Sequence, residues 1–141
     1  MSHYKTIALA VATFALTSAL PSIASAQQAS SFQKSCTNVR YAQQGGQAMI
    51  VADCRRKNGS MMSSSVAIRG IDNTEGDLTH TAGPRNPSTF QRSCRNMSIR
   101  MGGPSGVQLA GSCRTSQGKY LNATTEIWDI VNNDGKLQYT Y

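Results

Sequence analysis

The sequence predicts a single, mostly β domain built from two similar halves. Three observations lead to this prediction: a phrase that occurs twice, cysteines at matching positions in both copies, and turn signals that recur in the same order. The phrase is SFQKSCTN at residues 31–38 and TFQRSCRN at residues 89–96. Because a solenoid generally needs three or more repeats, two copies favour one pseudosymmetric domain.

Residues 1–26 are predicted to be a signal peptide. Lys5 supplies a positive charge, residues 7–20 are mainly apolar and uncharged, and residues 24–26 form a small-residue cleavage pattern. A transmembrane anchor needs about 20 continuous apolar residues, whereas threonines and a serine interrupt this stretch. We therefore expect a secreted protein, extracellular or periplasmic, with one domain over residues 27–141 and no membrane span.

All four cysteines lie in the expected mature chain, and an exported protein usually pairs an even number of cysteines. Each copy holds two of them at nearly the same interval. If the copies fold alike, Cys36 pairs with Cys54 and Cys94 pairs with Cys113. The alternative is a zinc site, but the chain has no C-x2-C pair and His80 is the only histidine after residue 26. No metal or other cofactor is expected.

The two repeats, residues 31–80 and 89–139, carry the period-two pattern of half-buried strands. One face of the strand before each second cysteine is apolar or small. That face consists of Ile50, Ala52 and Cys54 in the first copy and of Leu109, Gly111 and Cys113 in the second.

Turn signals divide each repeat further. Asn58-Gly59 is a strong hairpin signal, and the stretches NTEG at 73–76 and NNDG at 132–135 mark another pair of turns. The sequence leaves open whether Ile71 and Ile130 lie on a single helical turn before them. Residues 80–89 contain two prolines, which are excluded from central strands, and are predicted to be a linker.

Two tandem copies of F-x-x-S-C-x-N, each followed by a strand ending in C-R, a hairpin, an apolar strand and N-x-x-G-x-L, resemble the cyanovirin-N homology family of sugar-binding proteins. The similarity extends over residues 31–139. The resemblance implies a fold in which each half pairs a three-stranded sheet of one copy with a hairpin of the other, with one disulfide inside each repeat. It also implies a lectin that binds mannose-rich oligosaccharides, without metal, at up to one pocket in each half.

The resemblance places a candidate carbohydrate-binding pocket in each half, lined by hydroxyl, amide and charged groups that donate and accept hydrogen bonds to sugar hydroxyls. Two of the asparagines, Asn73 and Asn132, have an alternative role as turn formers. The first pocket consists of Ser31, Lys34, Ser35, Arg55, Lys57, Asn58, Asn132, Asn133 and Asp134. The second consists of Asp72, Asn73, Glu75, Ser88, Thr89, Arg92, Ser93, Arg114, Thr115, Ser116 and Gln117.

Basic residues stand beside both candidate pockets. Arg55 and Arg92 replace residues that are acidic in the family pattern, and the whole chain carries a formal net charge of +7. A guanidinium group holds a carboxylate or sulfate by two parallel hydrogen bonds. The sequence therefore predicts binding of acidic glycans in addition to, or instead of, neutral mannose chains. The alternative is that these side chains point into water.

Other function classes are less consistent with the sequence. An enzyme is not expected, because one histidine beside a linker, no free thiol and no repeated carboxylate pair leave no obvious general acid and base. Nucleic-acid binding is not expected, because few aromatic residues lie between the basic ones. The remaining alternative is a secreted basic protein that binds anionic glycans, nucleic acid or another surface by charge. A monomer and a domain-swapped dimer both remain open.

Overall fold

The computed structural model describes residues 10–16 and 27–141. Residues 10–16 are exposed and have no regular secondary structure. The predicted signal peptide otherwise lies outside the described residues, so its cleavage and the domain bounds remain predictions. Over these two described ranges, no helix has the length and apolar character that crossing a bilayer would require.

Each repeat forms a short 3-10 helix, a three-stranded antiparallel sheet and a two-stranded hairpin. This arrangement confirms the predicted mostly β, two-repeat fold. The first repeat consists of the 3-10 helix Phe32–Lys34 and the strands β1 (Cys36–Gln44), β2 (Gln47–Arg55), β3 (Met61–Ala67), β4 (Asp72–Thr74) and β5 (Asp77–Thr79). The second consists of the 3-10 helix Phe90–Arg92 and the strands β6 (Cys94–Met101), β7 (Val107–Arg114), β8 (Tyr120–Glu126), β9 (Ile130–Asn133) and β10 (Lys136–Tyr139).

The hairpin of each repeat packs against the sheet of the other repeat. Strand β10 contacts β3, and β5 contacts β8. At the first of these contacts the Leu137 amide donates a hydrogen bond of 2.9 Å to the Ser64 hydroxyl. The apolar side chains of both repeats form one cluster, in which Phe32 and Phe90 are fully buried. Neither repeat therefore has a complete core of its own, because burial of apolar surface requires both.

The two disulfides join Cys36 to Cys54 and Cys94 to Cys113, as the spacing predicts. Each links the first strand of a sheet to the second at directly opposed positions. The predicted apolar faces of β2 and β7 are also confirmed. Their central residues, Ile50 and Leu109, are fully buried.

The asparagine of the repeated phrase lies at a β-bulge in both sheets, where the strand register shifts. Asn38 has a φ of 52° and Asn96 a φ of 55°. Asparagine adopts this left-handed conformation more readily than most residues do. The backbone geometry of the bulge thus explains why both copies of the phrase end in asparagine.

The predicted turns occur where expected, but no helical turn precedes the second pair. Ile71 lies outside regular secondary structure and Ile130 begins β9. The helical turns are the two 3-10 helices near the start of the repeats, which the sequence analysis did not predict. The linker over 80–89 has no strand, but it is held against the domain, since Pro87 forms an isolated bridge with Arg69.

Candidate functional site

Each candidate pocket is formed by the 3-10 helix and one turn of a repeat together with the hairpin tip of the other repeat. A carboxylate at the hairpin tip holds the opposite turn. In the first pocket, the Asp134 carboxylate accepts a 2.8 Å hydrogen bond from the Lys57 amide. In the second, the Glu75 carboxylate accepts hydrogen bonds from the amide and the hydroxyl of Ser116, at 3.3 and 3.0 Å.

Asn132 connects all three segments of the first pocket. Its side-chain nitrogen donates to the Ser35 hydroxyl and to the Arg55 carbonyl, both at 2.9 Å. Its side-chain oxygen accepts a 2.8 Å bond from the Gly135 amide. Both hydrogens of the amide group are therefore used inside the protein.

Asn73 makes the same three hydrogen bonds in the second pocket. It donates to the Ser93 hydroxyl at 2.8 Å and to the Arg114 carbonyl at 2.9 Å. It accepts from the Gly76 amide at 2.8 Å. Since the bonds of both asparagines hold the walls of the pockets, their structural role, which the sequence left open, is the one that the geometry supports.

Two further predicted residues of the second pocket lie beside these groups. The Asp72 carboxylate accepts hydrogen bonds from the hydroxyl groups of Thr81 and Thr89, at 2.6 and 2.5 Å. The bond from Thr81, followed by that from Thr89, lowers the pKa of the Asp72 carboxyl below its ordinary value.

Ser88 is buried beneath the second pocket rather than exposed at its rim. Its side chain is 5% exposed, and its hydroxyl oxygen accepts a 3.0 Å bond from the Ile71 amide. Ser30 does the same for the Ile130 amide at 3.2 Å. The hydroxyl of Ser88 therefore supports the fold, as its counterpart does in the other half.

A model of the CVNH domain matches residues 32–138 of the chain. The protein belongs to the CVNH family. No curated protein matches the chain.

Solved structures of CVNH proteins share the fold. TbCVNH from T. borchii is 23% identical, with a TM-score of 0.59 over 78% of this chain and 99% of that one. Microvirin in complex with mannobiose is 22% identical, with a TM-score of 0.55 over 77% and 96%. A MoCVNH3 variant in complex with (N-GlcNAc)4 is 18% identical, with a TM-score of 0.54 over 79% and 98%. At this level of identity the similarity establishes the fold.

The two pockets of this CVNH domain differ in charge. The first pocket has three basic residues, Lys34, Arg55 and Lys57, and one acidic residue, Asp134. The second has two basic residues, Arg92 and Arg114, and two acidic residues, Asp72 and Glu75. The exposed predicted residues are Lys34, Arg55, Lys57, Asn58, Asn133 and Asp134 in the first pocket and Glu75, Thr89, Arg92, Arg114, Ser116 and Gln117 in the second. Ser31 and Thr115 are half-buried. The first pocket is therefore the more basic of the two.

A wide cleft lies apart from the two hairpin tips of this CVNH domain. It is located next to the β1–β2 turn, shares Ser88 and Arg92 with the second pocket, and includes Arg69. The motifs of the sequence do not predict this cleft. The sequence feature that could have indicated it is a difference between the repeats. Ala67 and Gly46 of the first repeat correspond to Glu126 and Ser105 of the second. Over the described ranges, no group of three or more histidine, cysteine or acidic residues could hold a metal ion.

Proposed function

We propose that this CVNH domain is a secreted, carbohydrate-binding lectin without enzymatic activity, with one sugar pocket in each half. The observation that carries the proposal is the pair of equivalent candidate pockets, in which the same asparagine hydrogen bonds hold the three segments together. Walls that are already ordered lose little conformational freedom when a ligand binds. Exposed amide, hydroxyl and guanidinium groups then remain at the rim to meet sugar hydroxyls.

Neutral oligosaccharides, with mannose-rich chains first, are the ligands that we propose. The complexes of microvirin with mannobiose and of the MoCVNH3 variant with (N-GlcNAc)4 support this choice. Both relatives have this fold, and mannobiose and (N-GlcNAc)4 are both uncharged sugars. The exposed polar side chains of the two candidate pockets suit a ligand that presents hydroxyl groups.

The test is a titration with mannobiose, followed through the backbone amide resonances of the two pockets. Arg55 and Arg114 occupy equivalent positions, and their exposed side chains can be removed while the carbonyl groups that receive the asparagine bonds are kept. We expect Arg55→Ala to weaken binding at the first pocket about tenfold, a loss of about 1.4 kcal/mol, and to leave the second unchanged. Arg114→Ala should do the reverse.

Each of these variants is the control for the other, because both remove one positive charge from an exposed position. Equal weakening at both pockets in either variant would contradict two separate sites. Absence of any resonance change with mannobiose, (N-GlcNAc)4 and longer mannose chains would contradict the lectin function.

The second candidate function is charge-driven binding of acidic glycans, which the basic first pocket favours. Exposed charges are screened beyond about 8 Å at physiological ionic strength. The same titration with a sulfated oligosaccharide should therefore weaken as salt rises, and mainly at the first pocket. Arg55→Glu together with Arg92→Glu should abolish this dependence. If neutral sugars bind equally at low and high salt, and no acidic oligosaccharide binds at either, this second candidate is excluded.

A further inference from the structure

We propose that the cleft beside the β1–β2 turn is a third binding site, which holds the carboxylate of an acidic sugar residue. The inference deepens the proposed lectin function, on which it rests, by naming a ligand class and a place that adjoins the second hairpin pocket. It follows from a comparison of the two halves of the molecule.

The cleft has the size and charge for a sugar with one carboxylate. It contains roughly 1030 Å³ of free space, part of which is open to solvent. Arg69 and Arg92 line the cleft, and Ala67 and Pro87 contribute apolar surface. No acidic residue lines it. A concave site with apolar walls and a few charged groups is typical of small-ligand binding.

The second half contains the structural counterpart of this place. The isolated bridge between Arg69 and Pro87 corresponds to the bridge between Trp128 and Ala29. Strand pairing gives the same correspondence, since Ala67 pairs with Met49 in the first sheet as Glu126 pairs with Gln108 in the second. The equivalent residues can therefore be compared directly.

In the second half, a carboxylate of the protein itself occupies this place. Glu126 accepts hydrogen bonds from the Gln108 side chain at 2.6 Å, from the Ser105 amide at 3.1 Å, and from the Ser105 hydroxyl. Desolvation raises the pKa of the Glu126 carboxyl, but the bonds from Gln108 and Ser105 outweigh it and hold the pKa below its ordinary value. The side chains of Gln108 and Ser105, with one backbone amide, thus bind a carboxylate at this place in the second half.

In the first half, the same place has neither the carboxylate nor the hydroxyl. Ala67 stands at the position of Glu126, Gly46 at that of Ser105 and Met49 at that of Gln108, so a ligand carboxylate here would be held by the arginines that border the cleft. A Cβ atom added to Gly45 or to Gly46 would meet no atom within 4 Å. One added to Gly103, in the second half, would lie 2.6 Å from a Glu126 carboxylate oxygen. The cleft in the first half is therefore open, whereas the Glu126 side chain fills the equivalent place in the second half.

Basic residues border the open cleft and supply the complementary charge. Arg69 replaces Trp128, and Arg92 takes the place of Lys34. A guanidinium group binds a carboxylate by two parallel hydrogen bonds, which an ammonium group cannot do. Because Arg92 also borders the second pocket, a glycan bound there can extend an acidic residue into the cleft.

The test uses sodium glucuronate as the probe, with glucose as the neutral sugar and sodium acetate as the bare carboxylate. We expect glucuronate to shift the amide resonances of Gly45 and Gly46, glucose to leave them unchanged, and acetate to bind at least tenfold more weakly than glucuronate. No shift with glucuronate, or acetate binding as tightly as glucuronate, would overturn the proposal of an acidic-sugar site.

Ala67→Glu copies the second half by placing a carboxylate of the protein in the cleft. We expect it to weaken glucuronate binding at least tenfold, and Arg92→Gln to weaken it as well. Thr124→Glu makes the same change of charge at an exposed position of β8 and should leave binding unchanged. Equal effects of Ala67→Glu and Thr124→Glu, or none from Arg92→Gln, would contradict the proposal.

The resonances of Lys57 and Ser116 report the hairpin pockets separately in the same samples. Mannobiose shifts at those residues, combined with no glucuronate shift at Gly45 and Gly46, would overturn this inference and leave the lectin function intact. Glucuronate shifts in the cleft, without any response to neutral oligosaccharides, would support the site and contradict the neutral-sugar pockets.

Discussion

At the scale of the residue, the two repeated asparagines carry more of the pocket structure than any other side chains. Asn132 reaches the Arg55 carbonyl across 77 residues of sequence, and Asn73 reaches the Arg114 carbonyl across 41. Each asparagine donates hydrogen bonds to a serine hydroxyl and to an arginine carbonyl in two neighbouring segments. It also accepts a hydrogen bond from a glycine amide in its own turn. Loss of either side chain would leave a partly buried serine hydroxyl and a partly buried glycine amide without these bonds, which is costlier than loss of an exposed contact.

We expect Asn132→Ala to lower the free energy of unfolding by about 2–4 kcal/mol, because three hydrogen bonds of about 1 kcal/mol each are lost. Asn133→Ala is the matched control, since the neighbouring asparagine is exposed, and a change within about 0.5 kcal/mol is expected there. Urea unfolding measures both changes. The shift of the transition midpoint gives the loss of stability when the dependence of the unfolding free energy on urea is unchanged. Similar midpoints for the two variants would show that the asparagine bonds do not stabilise the fold.

At the scale of the element, the hairpin tips fit closely against the turns of the opposite repeat. A Cβ atom at Gly135 would lie 2.7 Å from the Arg56 side chain and 3.2 Å from that of Met62. Gly76 is crowded in the same way by Leu121 and Thr115. Both glycines also have positive φ values, 90° and 89°. The N-x-x-G ending of each repeat therefore serves the turn and the contact between repeats at once.

We expect Gly135→Ala to cost about 2–3 kcal/mol, from backbone strain of about 1 kcal/mol and from displacement of the two crowded side chains. Gly59→Ala separates these effects, because Gly59 has a similar φ of 86° with no atom within 4 Å of an added Cβ. It should cost about 1 kcal/mol. Thermal unfolding of both variants is the measurement, and equal losses would show that contact with the opposite repeat is unimportant.

At the scale of the whole molecule, the exchange of hairpins makes the two repeats dependent on each other. Each disulfide closes a short loop inside one repeat, with sequence separations of 18 and 19. The apolar cluster, in contrast, contains residues of both repeats. A local covalent constraint therefore stabilises a core that the two repeats share.

Replacement of Cys36 and Cys54 by alanine should destabilise the protein by about 3 kcal/mol on the chain-entropy estimate for such a loop. Because the core is shared, we expect a single cooperative transition in which resonances of both repeats are lost together. The variant with Cys94 and Cys113 replaced is the control and should behave alike. Native resonances of the second repeat, at denaturant concentrations that unfold the first, would contradict a shared core.

The sequence by itself determined the features that depend on local geometry. The pairing of Cys36 with Cys54, the turn at Asn58-Gly59 and the buried face of β2 follow from spacing, turn chemistry and period-two alternation, which act over a few residues. The resemblance added the exchange of hairpins. The short 3-10 helices escaped prediction because three-residue helices have no periodicity to detect.

The tertiary structure decided what the repeated side chains do. Ser88 and Asn132 are residue types that can contact a sugar, and in the folded chain their side chains make hydrogen bonds to the Ile71 amide and the Arg55 carbonyl. Only the folded chain brings Ala67 and Gly46 to a place whose counterpart Glu126 fills. These relations join residues far apart in sequence, and whether a polar group faces a ligand or the protein depends on which distant groups surround it.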